Sequence, residues 1–271
     1  MIGVASRNGY SIARSDRVQT FASDGVEIAF IDEGPREGQA GTVLLIHGFA
    51  SNVATNWVGP GWVRALTDAG FRAIAYDNRG HGRSAKLYDT KDYGAPLMAE
   101  DARRLLDHLG IARADVMGYS MGARISAFLA IAHPERVRSL VFAGLGINMV
   151  RGVAGTGPVA RALEADSIAD VTNAAARTFR AFAEQTQSDL KALAACIRSA
   201  RAPITAEALG GLNCPVLVVV GEDDVIGGDP AQLAALMPNA RAVAVPGRDH
   251  MRTVGDKAYR QAVLEFLQTR P

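Results

Sequence analysis

The stretch from Gly118 to Gly122 has the pattern Gly-x-Ser-x-Gly, with Ser120 between the two glycines. An apolar run ends here and a helical pattern begins, which predicts a tight turn that lifts the serine hydroxyl clear of a sheet. The following helix would direct free N–H groups and the positive end of its dipole toward charge developing beside that hydroxyl. The pattern also arises by chance, and the alternative interpretation of Ser120 is an ordinary helix N-cap. A base, an acid and an anion site elsewhere in the chain would favour nucleophilic catalysis.

The chain contains five histidines, which are the candidate bases because a serine hydroxyl needs an imidazole to take its proton. His250 follows the last predicted strand, so its loop should lie at the same carboxyl edge of the sheet as Ser120. His108 falls within a predicted helix and His133 at a helix end, and both are interpreted as surface or packing residues. His81 is expected to order its own loop. His250 is therefore the predicted general base.

The base in turn needs a carboxylate that fixes its tautomer and stabilises the imidazolium. Asp223 and Asp224 follow the apolar run that ends at Val220, again at the carboxyl edge. Asp224 is the predicted acid, Asp223 is the second choice, and a purely turn-forming aspartate is the alternative interpretation. Asp249 is set aside because a residue adjacent to His250 cannot easily fold back onto its ring.

Two backbone amides are candidates for an oxyanion hole. The N–H of Met121 is the first in the helix behind Ser120, and the N–H of Phe49 follows Gly48, which lets the backbone turn toward the pocket. The alternative for this second segment is a simple strand-ending turn. The apolar side chains expected to line a substrate pocket here are Leu145, Val225, Ile226 and Met251, together with Phe49 and Met121.

Strand and helix patterns alternate through the first half of the chain, which predicts a parallel sheet covered by helices on both faces. Apolar runs predict strands at 42–46, 71–76, 115–118, 139–143, 215–220 and 241–245. Helical patterns fall at 57–69, 96–109, 120–133, 230–236 and 257–268. Asp24 and Gly25 suit the tight turn of a hairpin over 19–31.

The alternation stops between residues 147 and 209, where the sequence shows alanine-rich helical segments and no strand pattern. Helices are expected at 158–165, 168–185 and 189–199, with Ser167 and Ser188 as N-caps. We interpret 147–209 as a helical cap inserted into a core domain formed by 1–146 and 210–271. Such a cap would shape a pocket at the carboxyl ends of the strands, where open parallel sheets bind ligands.

Composition excludes several partner classes. The net charge of +1 in 271 residues gives no basis for nucleic-acid binding, and no apolar run is long enough to span a membrane. Residues 1–17 are polar and do not resemble a secretory signal, so a cytoplasmic location is expected. Cys196 and Cys214 lack redox or metal spacing and are interpreted as buried thiols, although a disulfide between them stays open. No metal-ligand cluster or phosphate-binding loop is recognised, so neither a metal nor a cofactor is expected.

The chain resembles the α/β-hydrolase fold family from about residue 19 to residue 267. The similarity lies in His47–Gly48, in Asp77–Ser84, in Gly118–Gly122, in Gly221–Asp224 and in Gly247–His250. The resemblance implies an eight-stranded, mostly parallel sheet and a triad of Ser120, Asp224 and His250 in the family's chain order. A serine nucleophile argues against the haloalkane dehalogenase and epoxide hydrolase branches, which use aspartate. The short cap, poor in aromatic residues, matches no particular branch.

These features predict a serine hydrolase that cleaves a small-to-medium, mainly apolar carboxylic ester or lactone through an acyl-enzyme. The expected partner is a small-molecule substrate without a strong charge. The same residues would also suit a carbon–carbon bond hydrolase or a cofactor-free perhydrolase, because the fold hosts many chemistries. A non-hydrolytic ligand-binding receptor is the alternative from a different class.

Overall fold

A computed structural model of the chain describes residues 18–36, 40–152 and 155–270, and an eight-stranded sheet forms its centre. The strands are β1 (Gln19–Ser23), β2 (Val26–Glu33), β3 (Thr42–Ile46), β4 (Arg72–Tyr76), β5 (Ala114–Tyr119), β6 (Val137–Ala143), β7 (Val216–Gly221) and β8 (Ala240–Val245). Their order across the sheet is β1-β2-β4-β3-β5-β6-β7-β8. Only the pairings of β2 with β1 and β4 are antiparallel. The predicted fold class is therefore confirmed. The polar segment 1–17 lies outside the described residues.

Helices cover both faces of the sheet, as the apolar strands require. They are α1 (Trp62–Asp68), α2 (Ala95–His108), α3 (Met121–Ala132), α4 (Asn148–Arg151), α5 (Thr156–Glu164), α6 (Ala174–Gln185), α7 (Leu190–Arg198), α8 (Ala206–Gly210), α9 (Pro230–Ala234) and α10 (Lys257–Thr269). Alternate residues of β3 show the two layers: Leu44 packs in the core with α2 and α3, and Leu45 packs in the core with α1 and α10. The central strands are thus fixed from both sides, which makes their carboxyl ends a rigid platform.

The helix predicted at 57–69 is divided into two pieces. Residues Ala54–Val58 form a π-helical turn, and α1 begins only at Trp62. Pro60 and Gly61 separate the pieces, and Gly61 has a φ of 82°, which no helix accommodates. The apolar periodicity continued across this break because Trp57 and Trp62 both face the core.

The segment predicted as a cap differs in detail from its sequence pattern. In place of one helix over 168–185, a 3-10 turn (Ile168–Asp170) precedes α6, whose N-cap Asn173 accepts a hydrogen bond from the Ala176 N–H. Ser167 caps that 3-10 turn as predicted, whereas Asp189 and not Ser188 caps α7. The short helices α4 and α8 were not predicted. The segment contains no strand within its described residues, and its assignment as a cap stays a prediction.

Cys196 and Cys214 are both free thiols, so the disulfide left open by the sequence is not formed. Cys196 is buried beside Tyr93, and burial raises the pKa of its thiol to about 12. It is therefore an unreactive thiol near neutral pH. Separately, none of the helices in the described ranges has the length and apolar character needed to cross a membrane.

Candidate active site

Ser120 lies at the sharp turn between β5 and α3. Its backbone has φ 54° and ψ −111°, a conformation that costs energy for a residue with a Cβ atom. The turn is held because the Ser120 N–H donates to the Ala143 carbonyl at 2.8 Å and both flanking glycines are tightly packed. A Cβ at Gly118 would collide with the Gly122 carbonyl, and a Cβ at Gly122 would collide with the Ile46 carbonyl. The motif's two glycines are thus required by close backbone approach.

Three side chains far apart in the sequence form one hydrogen-bonded chain. His250 Nε2 lies 3.0 Å from Ser120 Oγ, and His250 Nδ1 lies 2.7 Å from Asp224 Oδ2. The second carboxylate oxygen of Asp224 accepts hydrogen bonds from the Ile226 N–H at 2.9 Å and the Gly227 N–H at 2.8 Å. The Asp224 side chain has no solvent exposure. The structure therefore brings the predicted nucleophile, base and acid together, with Asp224 and not Asp223 facing the imidazole.

Tyr119 fixes the loop that carries His250. Its hydroxyl donates to the His250 carbonyl at 2.5 Å, across 131 positions of sequence. Burial, and secondarily the charge of Asp224, raises the pKa of this phenol, so it stays a neutral donor. The Thr253 hydroxyl also donates to the Asp249 carbonyl at 2.8 Å. Sequence analysis missed Tyr119, although its place inside the Gly-x-Ser-x-Gly motif puts it next to the nucleophile.

The two amides predicted to bind an oxyanion border the same space. Among hydrogen bonds formed by the described residues, none uses the N–H of Phe49 or of Met121 as donor. Met121 is the first residue of α3, where N–H groups have no partner within the helix. Gly48 beside Phe49 is held by its own N–H, which donates to Asn56 Oδ1 at 3.2 Å. Both amides are thus free to stabilise a negative charge beside Ser120.

Residues 41–156 match a family model described as alpha/beta hydrolase fold. A hydrolase structure from Pseudomonas aeruginosa superposes with a TM-score of 0.73 and 25% identity, covering 94% of this chain and 99% of that one. The chain has the α/β-hydrolase fold. An enol-lactonase structure from Burkholderia xenovorans superposes with a TM-score of 0.76 at 24% identity, over 92% of this chain and all of that one, and shows the same fold.

Sequence similarity to curated α/β-hydrolases is confined to part of the chain. Epoxide hydrolase B of Mycobacterium tuberculosis is 34% identical over 131 residues, which are 45% of this chain and 35% of that protein. The match thus spans about a third of that relative's length. The shared part agrees with the fold seen in the structure, and the chemistry has to be argued from this chain's own side chains.

The loop from Asp77 to Ser84, characteristic of the sequence resemblance, supports the turn at Gly48. His47 Nε2 accepts a hydrogen bond from the Asn78 N–H at 2.9 Å, and its Nδ1 lies 2.8 Å from the Gly48 carbonyl. Burial lowers the pKa of His47 to about 4, so this imidazole is neutral in the folded protein. His81 Nδ1 lies 2.9 Å from the Arg79 carbonyl within the loop, consistent with its expected ordering role.

His47 gives the fold a specific acid sensitivity. Its pKa is lowered from 6.5 to about 4 on folding, so the unfolded state binds the proton more tightly. The free energy of unfolding is therefore highest above pH 6.5 and decreases as the pH falls through 4. This one group accounts for about 3 kcal/mol of that decrease. In urea unfolding from pH 7 to 4, we expect His47→Gln to show a shallower loss than the wild type. Replacement of the exposed His108 by glutamine serves as the control, and parallel curves for His47→Gln and wild type would contradict the assignment.

Two cavities meet at Ser120, with Phe49 and Phe179 between them. The first encloses about 910 Å³ of empty space open to solvent, and the second about 680 Å³. The first is lined by Met98, Met121, Arg124, Leu145, Val159, Cys196, Arg201 and Ile226, among others. The second is lined by Gly48, Asn56, Tyr119, His250, Met251 and Val254, among others.

Five of the six predicted lining residues border these cavities: Phe49, Met121, Leu145, Ile226 and Met251. The prediction for Val225 is wrong, because its side chain is 88% exposed and borders neither cavity. Asp224 Oδ1 accepts from the N–H of Ile226, which closes a tight turn with Val225 at its tip. The turn that orients the carboxylate toward His250 thus leaves Val225 in solvent.

The cavity residues that sequence analysis missed are of two kinds. Asn56 and Arg124 lie on elements of the predicted core domain. Arg124 is one helical turn after Ser120, and this spacing could have predicted that the two residues lie on the same side of α3. Phe179 and Arg201 come from the segment 147–209, and no sequence feature shows which sheet residues they face. The other histidines lie elsewhere: His108 stacks on Phe21, and His133 Nε2 lies 2.5 Å from Glu100. Within the described ranges, no group of three His, Cys, Asp or Glu side chains is arranged for a metal ion.

Proposed function

We propose that this protein is a serine hydrolase that cleaves a carboxylic ester or lactone through an acyl-enzyme intermediate. The observation that carries the proposal is the hydrogen-bonded chain from Ser120 Oγ through His250 to the buried Asp224. Such a chain turns a weakly nucleophilic hydroxyl into one that loses its proton as it attacks.

In the proposed reaction, Ser120 Oγ attacks the carbonyl carbon while its proton passes to His250 Nε2. Asp224 accepts a hydrogen bond from the Nδ1–H of the ring, so Nε2 is free to accept the serine proton. The negative charge of Asp224 then stabilises the imidazolium. The developing oxyanion is bound by the N–H groups of Phe49 and Met121, each worth roughly 10²–10³ in rate. His250 then protonates the leaving alcohol. A water molecule deprotonated by His250 releases the acid and restores Ser120.

The two cavities have different parts in this scheme. The leaving oxygen has to receive a proton from His250, which lines the second cavity and not the first. We therefore assign the leaving alcohol to the second cavity and the acyl group to the first. Residues 147–209 act as the cap in this proposal, since Val159, Phe179 and Ile197 of that segment close the acyl cavity.

Ser120 also favours ester cleavage over epoxide opening. Attack of a serine oxygen on an epoxide would form an ether, which has no carbonyl for a water molecule to attack, so the enzyme would not turn over. A carboxylate nucleophile would instead form a cleavable ester. The partial similarity to an epoxide hydrolase therefore does not extend to its reaction in this proposal.

Labelling with a fluorophosphonate probe tests whether Ser120 is an activated nucleophile. We expect a single covalent adduct, mapped to Ser120 by peptide mass spectrometry, and turnover of p-nitrophenyl esters in a series of acyl lengths. Vinylogous diketones and acetate with peroxide test the carbon–carbon hydrolase and perhydrolase alternatives in the same experiment. An unlabelled Ser120 with no turnover of any substrate would contradict the proposal and favour a ligand-binding receptor.

A further inference from the structure

Two arginines without acidic partners line the acyl cavity. Arg124 lies on α3 and Arg201 on the segment that follows α7, and both border the cavity that contains Ser120. Arg124 donates to the Met149 carbonyl at 2.8 Å and to the Ala202 carbonyl at 2.6 Å, which holds the segment carrying Arg201 against α3. The two arginines are 77 positions apart in the sequence, and folding of the chain brings them to one wall of the cavity.

Neither charge is balanced within the described part of the chain. No salt bridge or carboxylate hydrogen bond there involves Arg124 or Arg201, and Arg201 forms no hydrogen bond with any described residue. Burial, and then the neighbouring charge of Arg201, lowers the pKa of Arg124. The rest of the wall is mostly apolar, including Met98 and Leu145. Arg124 is half-buried, so its charge without a counterion is costly, and an anion in the cavity would offset that cost. The exposed Arg201 supplies a second cation at the same wall.

We propose that the acyl group of the substrate carries a carboxylate, bound by Arg124 and Arg201. This inference rests on the proposed ester hydrolysis and narrows its substrate class to half-esters or lactones of dicarboxylic acids. It replaces the expectation of an uncharged acyl group, which considered only apolar lining residues. The protein's net charge of +1 shows that the arginines are a local feature of the cavity and not part of a generally basic surface.

Arg124 lies four residues after Ser120, within the first turn of α3. Its guanidinium keeps N–H groups that the two carbonyl bonds do not use. An acyl group that extends from Ser120 along this wall would bring its carboxylate toward Arg124 and Arg201, which line the same cavity.

A matched pair of substrates tests the inference. The mono-p-nitrophenyl ester of glutaric acid carries the carboxylate, and the corresponding ester of glutaramic acid replaces it with a neutral amide of similar size. After subtraction of the uncatalysed hydrolysis, we expect kcat/KM to favour the acid at least about tenfold. Arg201→Gln should lower the ratio of kcat/KM for the acid to kcat/KM for the amide by about tenfold. This variant removes no hydrogen bond, so its folding is not at risk.

Arg124→Gln should reduce the same preference, with thermal unfolding used to check that loss of its two backbone contacts is tolerated. Arg64→Gln is the control, because Arg64 is an exposed arginine on α1 and its loss changes the net charge equally. Hydrolysis of both esters at similar rates, unaffected by Arg201→Gln, would overturn the inference and leave the proposed function standing.

If neither ester is hydrolysed, the proposed function fails, and the arginine site is then judged by binding alone. Isothermal titration of glutaric acid monomethyl ester into Ser120→Ala protein should show binding that Arg201→Gln weakens about tenfold. Two results would then overturn the inference. One is that the monomethyl ester does not bind the Ser120→Ala protein, and the other is that it binds this protein equally well with and without Arg201→Gln.

Discussion

Replacement of Ser120 by alanine is expected to lower kcat/KM for a p-nitrophenyl ester by a factor of about 10⁴–10⁶ with the fold retained. The hydroxyl is the only group in the proposed mechanism that bonds to the substrate, whereas His250 and the two amides support that bond. Once it is absent, the remaining amides and binding surfaces give only weak acceleration over water. The measurement is initial-rate kinetics, with far-UV circular dichroism and thermal unfolding to establish the folded state.

Ser167→Ala is the matched control for this variant. Ser167 caps a 3-10 turn at an exposed position and borders neither cavity, so its loss should leave kcat/KM unchanged. Alanine at position 120 keeps a Cβ at a φ of 54°, so the backbone strain and the stability should both stay close to those of the wild type. Retention of most esterase activity in Ser120→Ala would exclude Ser120 as the nucleophile.

The core-side residues of the site were predictable because each of them follows an apolar run. Ser120, Asp224 and His250 stand just beyond β5, β7 and β8, and carboxyl ends of parallel strands lie at one edge of a sheet. The choice between Asp223 and Asp224 rested on position alone. What decides it in the structure is a pair of N–H groups, from Ile226 and Gly227, that turn the Asp224 carboxylate toward His250.

Phe179 and Arg201, the cavity residues from the segment 147–209, were not predictable for a physical reason. The spacing of apolar residues in α6 shows which face is buried, but not which part of the sheet that face covers. Phe179 therefore reads as a packing residue in the sequence, although it borders both cavities. Arg201 reads as a surface charge in the sequence, and the folded chain shows that it borders the cavity at Ser120.

The misplaced helix at 168–185 has a similar origin. Alanine has the highest helix propensity, and the alanines that begin at Ala174 extended the predicted helix through residues 171–173. In the structure Asn173 instead accepts a hydrogen bond from Ala176, and this local bond competes with the helix and starts α6 there. The segment 147–209 thus folds as separate short helices.

Replacement of Asp224 by asparagine is expected to lower kcat by about 10⁴, because it gives His250 the wrong tautomer. In the wild type, Oδ1 is held by the N–H groups of Ile226 and Gly227, and Oδ2 faces the ring Nδ1. The asparagine carbonyl oxygen would take the Oδ1 position, since only an acceptor can satisfy those two N–H groups. Its NH₂ group is then forced toward Nδ1, which has to become the acceptor.

The proton of the neutral imidazole would consequently move to Nε2, which faces Ser120. His250 could then donate to the hydroxyl but not accept its proton, so the nucleophile would not be activated. The effect differs from a loss of structure: the hydrogen-bond pattern of the turn at 224–227 is preserved, and we expect thermal stability near that of the wild type. Substrate affinity, measured on the inactive Ser120→Ala background with and without Asp224→Asn, should also be unchanged.

Asp223→Asn provides the control that separates the two neighbouring aspartates. Its side chain is exposed and makes no contact with His250, so esterase activity should stay within a factor of about two of the wild type, as for surface substitutions away from a site. The reverse result, a large loss in Asp223→Asn and none in Asp224→Asn, would show that the carboxylate turned by Ile226 and Gly227 does not orient the base. The two amides at 226 and 227 thus do more than close a turn: they decide which atom of residue 224 meets the histidine, and hence whether Ser120 can lose its proton.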